Sequence, residues 1–188
     1  MMVATSARSG RRTILLVALT VIAPVVLAYA AYYLFPPGTF TNYGELLPTV
    51  PMTDVAGVRA DGAAFRLSQT RGRWTLVVAA PAACDAGCAS ALYAMRQART
   101  IQGREMDRVE RVWLVTDARA PSAALLAEHA GLIVVRTDAA AASSLPRGMG
   151  AIHLVDPLGN QVLAWPRDPD IKRLAGDLAR LLKASRIG

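Results

Sequence analysis

Residues 13–35, TILLVALTVIAPVVLAYAAYYLF, form an uncharged run of 23 positions, and no other feature limits the chain as strongly. At about 1.5 Å per residue a helix of this length reaches roughly 35 Å, enough to cross a hydrocarbon core with some tilt. Arg8, Arg11 and Arg12 precede the run, with no acidic residue upstream. The positive-inside rule therefore predicts a cytoplasmic N-terminus (residues 1–12), a span (13–35) and export of residues 36–188. Tyr29, Tyr32, Tyr33 and Phe35 gather at the far end, as an aromatic belt does, and Pro24 predicts a tolerated kink. Ala28-Tyr29-Ala30 resembles a small-residue cleavage site, so a removed signal peptide is the competing reading. The apolar run continues past that point, which favours a retained anchor. Arg11-Arg12 can also open a twin-arginine signal, although a basic flank alone explains it. The expected location is a single-pass inner (plasma) membrane protein with its domain on the periplasmic or extracytoplasmic side, where cysteines can be oxidised.

The rest of the composition fits one domain behind that anchor. Of 188 residues, 53% are hydrophobic and 19% charged, so there is ample material for a core and disorder is excluded for most of the chain. The net charge is +7, and the three arginines of the leader leave +4 for the exported part. Without a dense Lys/Arg tract interleaved with aromatics, no nucleic-acid surface is expected. Two cysteines cannot build a disulfide-rich mini-protein or a four-thiolate zinc site. The sequence has no glycine-rich phosphate loop, HExxH or GxSxG, so nucleotide, zincin and serine-hydrolase chemistry have no support.

Residues 36–53, rich in Pro, Thr and Gly, read as a linker, and the domain is expected over 54–188. Asp61-Gly62 between short alternating runs predicts a β-hairpin. WTLVVAA (74–80) is a strand buried on both faces, and VERVWLVT (109–116) is the next. A helix is expected from Ala89 to Gln102 with Leu92, Met95 and Ile101 on one side, and a second from Pro121 to His129, closed by Gly131. LIVVR (132–136), IHLVD (152–156) and QVLAW (161–165) are further strands, the last two flanking a Pro157–Asn160 turn. The alanines 139–142 suggest a poor or partial helix. The final helix is expected to have Asp168 as N-cap, Pro169 at its first position and a stripe of Ile171, Leu174, Ala175, Leu178, Leu181 and Leu182. This order of strands and helices predicts an α/β sandwich behind one transmembrane helix.

The chemistry is expected at Cys84 and Cys88. ACDAGC lies between a buried strand and a helix start, where free backbone N–H groups favour a thiolate. Three intervening residues allow a disulfide or a shared soft ion such as Cu(I). A static staple is the plain alternative, but closing so short a loop stabilises little. Asp117, Asp138 and Asp156 read as caps or turn residues, and Trp74, Trp113 and Trp165 as packing residues.

GAAFRLSQTRGRWTLVV leading into CxxxC, and AIHLVDPLGNQVLAWP before a last helix, resemble the Sco/SenC family. These are membrane-anchored, thioredoxin-like proteins of cytochrome c oxidase assembly. NYGELLP, ACDAGC, LYAMRQ and MDRVERVWLVTD are similar to a short Sco-like group among oxidase-assembly proteins. The likeness covers nearly all of the exported part, and its combination of motifs is more specific than CxxxC alone. It implies a thioredoxin-like sandwich, catalytic or Cu(I)-binding roles for Cys84 and Cys88, and oxidase subunits or other assembly factors as partners. The sequence departs from the family in two places. Ala89 replaces the usual proline after the second cysteine, and Gly148 or a neighbour stands where the third copper ligand, a histidine, belongs. His153 is the remaining metal-ligand candidate, inside a strand; His129, near a helix end, reads as a surface or capping residue.

Three functions are therefore expected to compete. One is an oxidase assembly factor that carries Cu(I) or reduces the copper-site cysteines. The second is a general exported thiol–disulfide oxidoreductase, although no proline directly precedes Ile152, where thioredoxins have one. The third is a non-catalytic scaffold.

Overall fold

The computed structural model describes residues 7–34 and 42–187, with side chains from Gly10 onward. Residues 1–6, Phe35 and linker residues 36–41 lie outside this description. The chain divides into two units, Met1–Thr41 and Asn42–Gly188. In the first, helix α1 runs over Ala7–Leu34 with Pro24 inside it. Its Gly10–Leu34 stretch is long and apolar enough to cross a membrane, and it is a candidate span.

The second unit is built on one eight-stranded mixed sheet, in the order β1-β8-β7-β4-β5-β6-β2-β3. The strands are β1 (Glu45–Leu46), β2 (Ala56–Arg59), β3 (Ala64–Arg66), β4 (Trp74–Ala80), β5 (Val109–Val115), β6 (Ile133–Thr137), β7 (Ile152–Val155) and β8 (Gln161–Trp165). The helices are α2 (Ala86–Ile101), α3 (Ala123–Glu128), α4 (Ala139–Ser143) and α5 (Ile171–Ala184). Central β4 is buried at every position, as its unbroken apolar run requires. It pairs in parallel with β5 and antiparallel with β7. The β2–β3 hairpin turns at Gly62, whose φ of 83° belongs to the left-handed region that glycine enters without steric cost.

Strand alternation divides the core between the two faces. Trp74, Leu76, Val78 and Ala80 join Trp113, Ile152 and Leu154 under α2 and α5. Val77 and Ala79 point the other way, to Phe65, Leu67, Leu114, Val135, Ala142 and Leu145. Helix α2 buries Cys88, Ala91, Leu92, Ala94, Met95 and Ala98, and its small residues let it lie close to the sheet. Leu174, Ala175, Leu178 and Leu182 of α5 are buried as the stripe predicts. Each buried leucine is worth about 2 kcal/mol in apolar transfer.

The structure shifts three sequence expectations. Helix α2 begins at Ala86 rather than Ala89, because Asp85 caps it by accepting the Cys88 N–H at 2.9 Å, and Ile101 ends up exposed. Helix α5 is capped by Asp170, which accepts the Arg173 N–H, whereas Asp168 accepts the Ser90 hydroxyl. The described part of the expected linker, residues 42–53, lies along β8. Glu45–Leu46 pairs with Leu163–Ala164, Leu47 donates to Val162, and Met52 is buried.

Candidate functional site

Strand β4 ends at Ala80, and Pro81–Cys84 turn the chain into α2. The Cys84 N–H closes this turn on the Pro81 carbonyl at 3.0 Å, and the Ala82 N–H donates to Asp117 at 3.0 Å. Asp117, expected only as a residue after a strand, therefore braces the cysteine loop from the end of β5. That bond and the adjacent Arg119 hold its carboxyl below the ordinary carboxylate range. Cys84 has a φ of 42°, a left-handed conformation that is uncommon for a residue with a side chain. Local strain of this kind is concentrated at functional corners.

Cys84 and Cys88 are joined in a disulfide, with their Cα atoms 5.0 Å apart. The two sulfurs differ in access. Cys84 is half-buried at the loop, while Cys88 is 1% exposed in the first turn of α2. An incoming thiol or disulfide can therefore meet Cys84, and Cys88 lies behind it. The helix start supplies N–H groups and the positive end of the α2 dipole to this corner. Asp85, between the cysteines, is held below the usual carboxylate range by the Cys88 N–H first and by the Arg167 guanidinium next.

His153 is not brought to this corner. It pairs with Val77 across the β4–β7 ladder and so shares the face of Val77 and Ala79, whereas Cys88 packs on the opposite face. The histidine is fully buried, and its Nε2 accepts the Arg147 N–H at 3.3 Å. Burial pushes its pKa down to about 4. His129, expected near the surface, comes directly after α3 and is 4% exposed. Burial, then Arg96 and Arg111, push its pKa down. Among the described residues no group of three or more His, Cys, Asp or Glu side chains could hold a metal ion. The donor set is two sulfurs, which suits a two-coordinate Cu(I) once the disulfide is opened and lacks a nitrogen for Cu(II).

Two parts of the corner escape sequence reasoning. Arg167, just after β8, is ion-paired with Asp85. Gly87 and Gly150 leave room for it: a Cβ on Gly87 would lie 2.7 Å from Arg167 Nε, and one on Gly150 would lie 2.8 Å from the same atom. Nothing in the local pattern around Arg167 announces this role, because Arg167 and Asp85 lie 82 positions apart.

The structure is similar to several solved proteins of this architecture. Yeast Sco1 with copper bound superposes with a TM-score of 0.64 at 16% identity, over 74% of this chain and 96% of that one. ScoI of Bradyrhizobium japonicum with copper bound gives 0.57 at 17% identity, over 70% and 99%. The thioredoxin domain of a thiol-disulfide oxidoreductase from Bacteroides vulgatus gives 0.58 at 19% identity, over 72% and 99%. At these identities the likeness establishes the thioredoxin-like fold, as the sequence led us to expect. No curated protein sequence matches the chain significantly. A family model described as a transmembrane-like, thioredoxin-like, C-terminal domain matches residues 74–185. This match takes in more than half of the chain, from the start of β4 to the end of α5, and the chain belongs to that family.

Proposed function

We propose that the chain is a membrane-anchored thiol–disulfide protein whose Cys84–Cys88 pair passes electrons to cysteine pairs of exported proteins. The copper-site cysteines of cytochrome c oxidase are the substrate that the Sco resemblance points to. The observation that carries the reading is the asymmetric disulfide at the strand-to-helix corner, with one sulfur half-exposed and the other buried. In the reduced protein, the Cys84 sulfur attacks a substrate disulfide, forming a mixed disulfide and releasing one substrate thiolate. Cys88 then attacks the Cys84 sulfur, which closes the Cys84–Cys88 disulfide and releases the second substrate thiol. Two electrons pass to the substrate, and an exported-side dithiol reductant must restore the pair. The candidate span and the arginines before it support a domain held outside the cytoplasm.

Copper carriage is the second reading, favoured by the fold shared with two Sco proteins solved with copper bound. Here Cu(I) is cargo on the two reduced sulfurs, and His153 takes no part. The test uses the full-length chain in detergent, reduced and then offered a model disulfide or Cu(I) against a competing chelator. Rapid reduction of the disulfide, lost in Cys84→Ser and slowed at resolution in Cys88→Ser, supports thiol exchange. Stoichiometric Cu(I) uptake lost in both variants supports carriage. If the double Cys→Ser chain retains full activity in oxidase assembly, both readings are wrong and a scaffold remains.

A further inference from the structure

Arg167 reaches across the cysteine corner from outside the motif. Its guanidinium pairs with Asp85, the only charged residue between the two cysteines. Its stem and Nε lie against Gly87 of the motif and Gly150 of the segment before β7. Gly150 has a φ of 89° and donates its N–H to the Ala79 carbonyl of β4 at 2.8 Å. The arginine thus ties three separate stretches together beside the disulfide: the motif, the segment entering β7 and the exit of β8. Side chains longer than hydrogen at positions 87 and 150 would occupy the space that it fills.

Resting on the redox reading of the cysteine pair, we propose that Arg167 is a positioning residue of Cys84 and Cys88, offsetting the charge of Asp85 and so setting the pair's reduction potential. A disulfide is neutral, whereas exchange places negative charge on the attacking and leaving sulfurs. A carboxylate inside the loop disfavours the electron-rich, reduced side of that equilibrium. A guanidinium fixed on the same loop favours it. The Asp85–Arg167 pair is close to balanced, so removing either member unbalances the corner in an opposite sense. Both groups are about half or more exposed, so the effect on the exchange equilibrium is a few-fold rather than orders of magnitude.

The measurement is the equilibrium of the full-length protein with glutathione redox buffers at neutral pH, read by trapping free thiols. Arg167→Gln is expected to make the disulfide about three- to tenfold harder to reduce, and Asp85→Asn to make it easier by a similar factor. Asparagine caps a helix as well as aspartate does, so α2 keeps its start. The double variant should return near the wild-type value, Arg167→Lys should restore most of it, and 1 M salt should compress the differences. Gly87→Ala should move the equilibrium in the Arg167→Gln direction by displacing the guanidinium while the helix is kept. If the arginine were only a clasp, both single variants would loosen the same contact and shift the equilibrium the same way; that result, or no shift, overturns the proposal and leaves the redox reading standing. A folded wild-type disulfide that no dithiol reduces overturns both.

Discussion

Asp85 and Asp177 are both aspartates paired to an arginine, yet they do different work because one is exposed and the other buried. Asp85 caps α2 at the cysteine corner, in water and facing Arg167. Asp177 sits inside α5 at 1% exposure. It accepts the Tyr43 N–H at 3.0 Å, the Gly44 N–H at 2.7 Å and the Trp165 indole N–H at 3.0 Å, and it pairs with Arg180. The Tyr43 hydroxyl accepts the Asp170 N–H, and Arg173 lies 4.2 Å above the Tyr43 ring. Gly44 permits the approach, since a Cβ there would lie 2.5 Å from the Trp165 indole nitrogen. The buried aspartate therefore locks the entering chain, residues 43–44, to the end of β8 and to α5. The exposed one leaves its corner adjustable. Similar chemistry gives a fixed joint in one place and a tunable one in the other.

The largest expected effect comes from breaking the buried joint. Asp177→Ala strands the Tyr43, Gly44 and Trp165 N–H donors, and should cost about 3–5 kcal/mol in chemical denaturation. It should also release residues 42–47 to hydrogen exchange. An intact exchange pattern there would deny the lock.

Acid should act on the same buried interior through His153. Its folded pKa of about 4 lies below the ordinary 6.5, so the unfolded chain takes up the proton first. The stability due to the neutral ring is complete above pH 6.5. It is lost as the pH falls towards 4, by up to about 3 kcal/mol. His129, also depressed, acts in the same sense. His153→Leu should flatten most of this dependence in a series of melts between pH 7 and 4, while the Cys84–Cys88 reaction at pH 7 continues. A copper-binding or redox defect in that variant, with the fold intact, would tie the histidine to the corner after all.

The smallest expected effect is at the exposed joint. Asp85→Ala removes a cap in water and should lower Tm by less than Asp177→Ala does, yet change the disulfide equilibrium more. The reverse ranking in either measurement would erase the distinction between the two aspartates.

Most of the fold was legible because its signals are local. The unbroken run Trp74–Ala80 marked the central strand, Asp61-Gly62 the hairpin and the Leu174–Leu182 stripe the last helix. The cysteine corner was legible for the same reason, since a buried strand leading into a small-residue helix places CxxxC at their junction. The contacts that join distant segments were not. Arg167 has no periodic pattern around it, and Gly87 and Gly150 reveal their purpose only when the arginine lies over them. Asp177 did leave a trace: it stands three residues after Leu174 and one before Leu178, a carboxylate on an apolar helical face that must find donors. Residues 36–53 were read as linker because proline, threonine and glycine are frequent across that stretch. Short strand β1 depends on β8, and the Met52 N–H donates to Gly159 of the turn before it, each more than 100 residues later.

The central claim is that the Cys84–Cys88 disulfide is a working redox pair rather than a staple. The direct measurement is a redox titration of the full-length chain in detergent, tracking free thiols and near-UV signal together across a series of dithiol buffers. A working pair gives one reversible two-electron transition in which both cysteines open while the domain stays folded. A disulfide that opens only when the domain unfolds would contradict it.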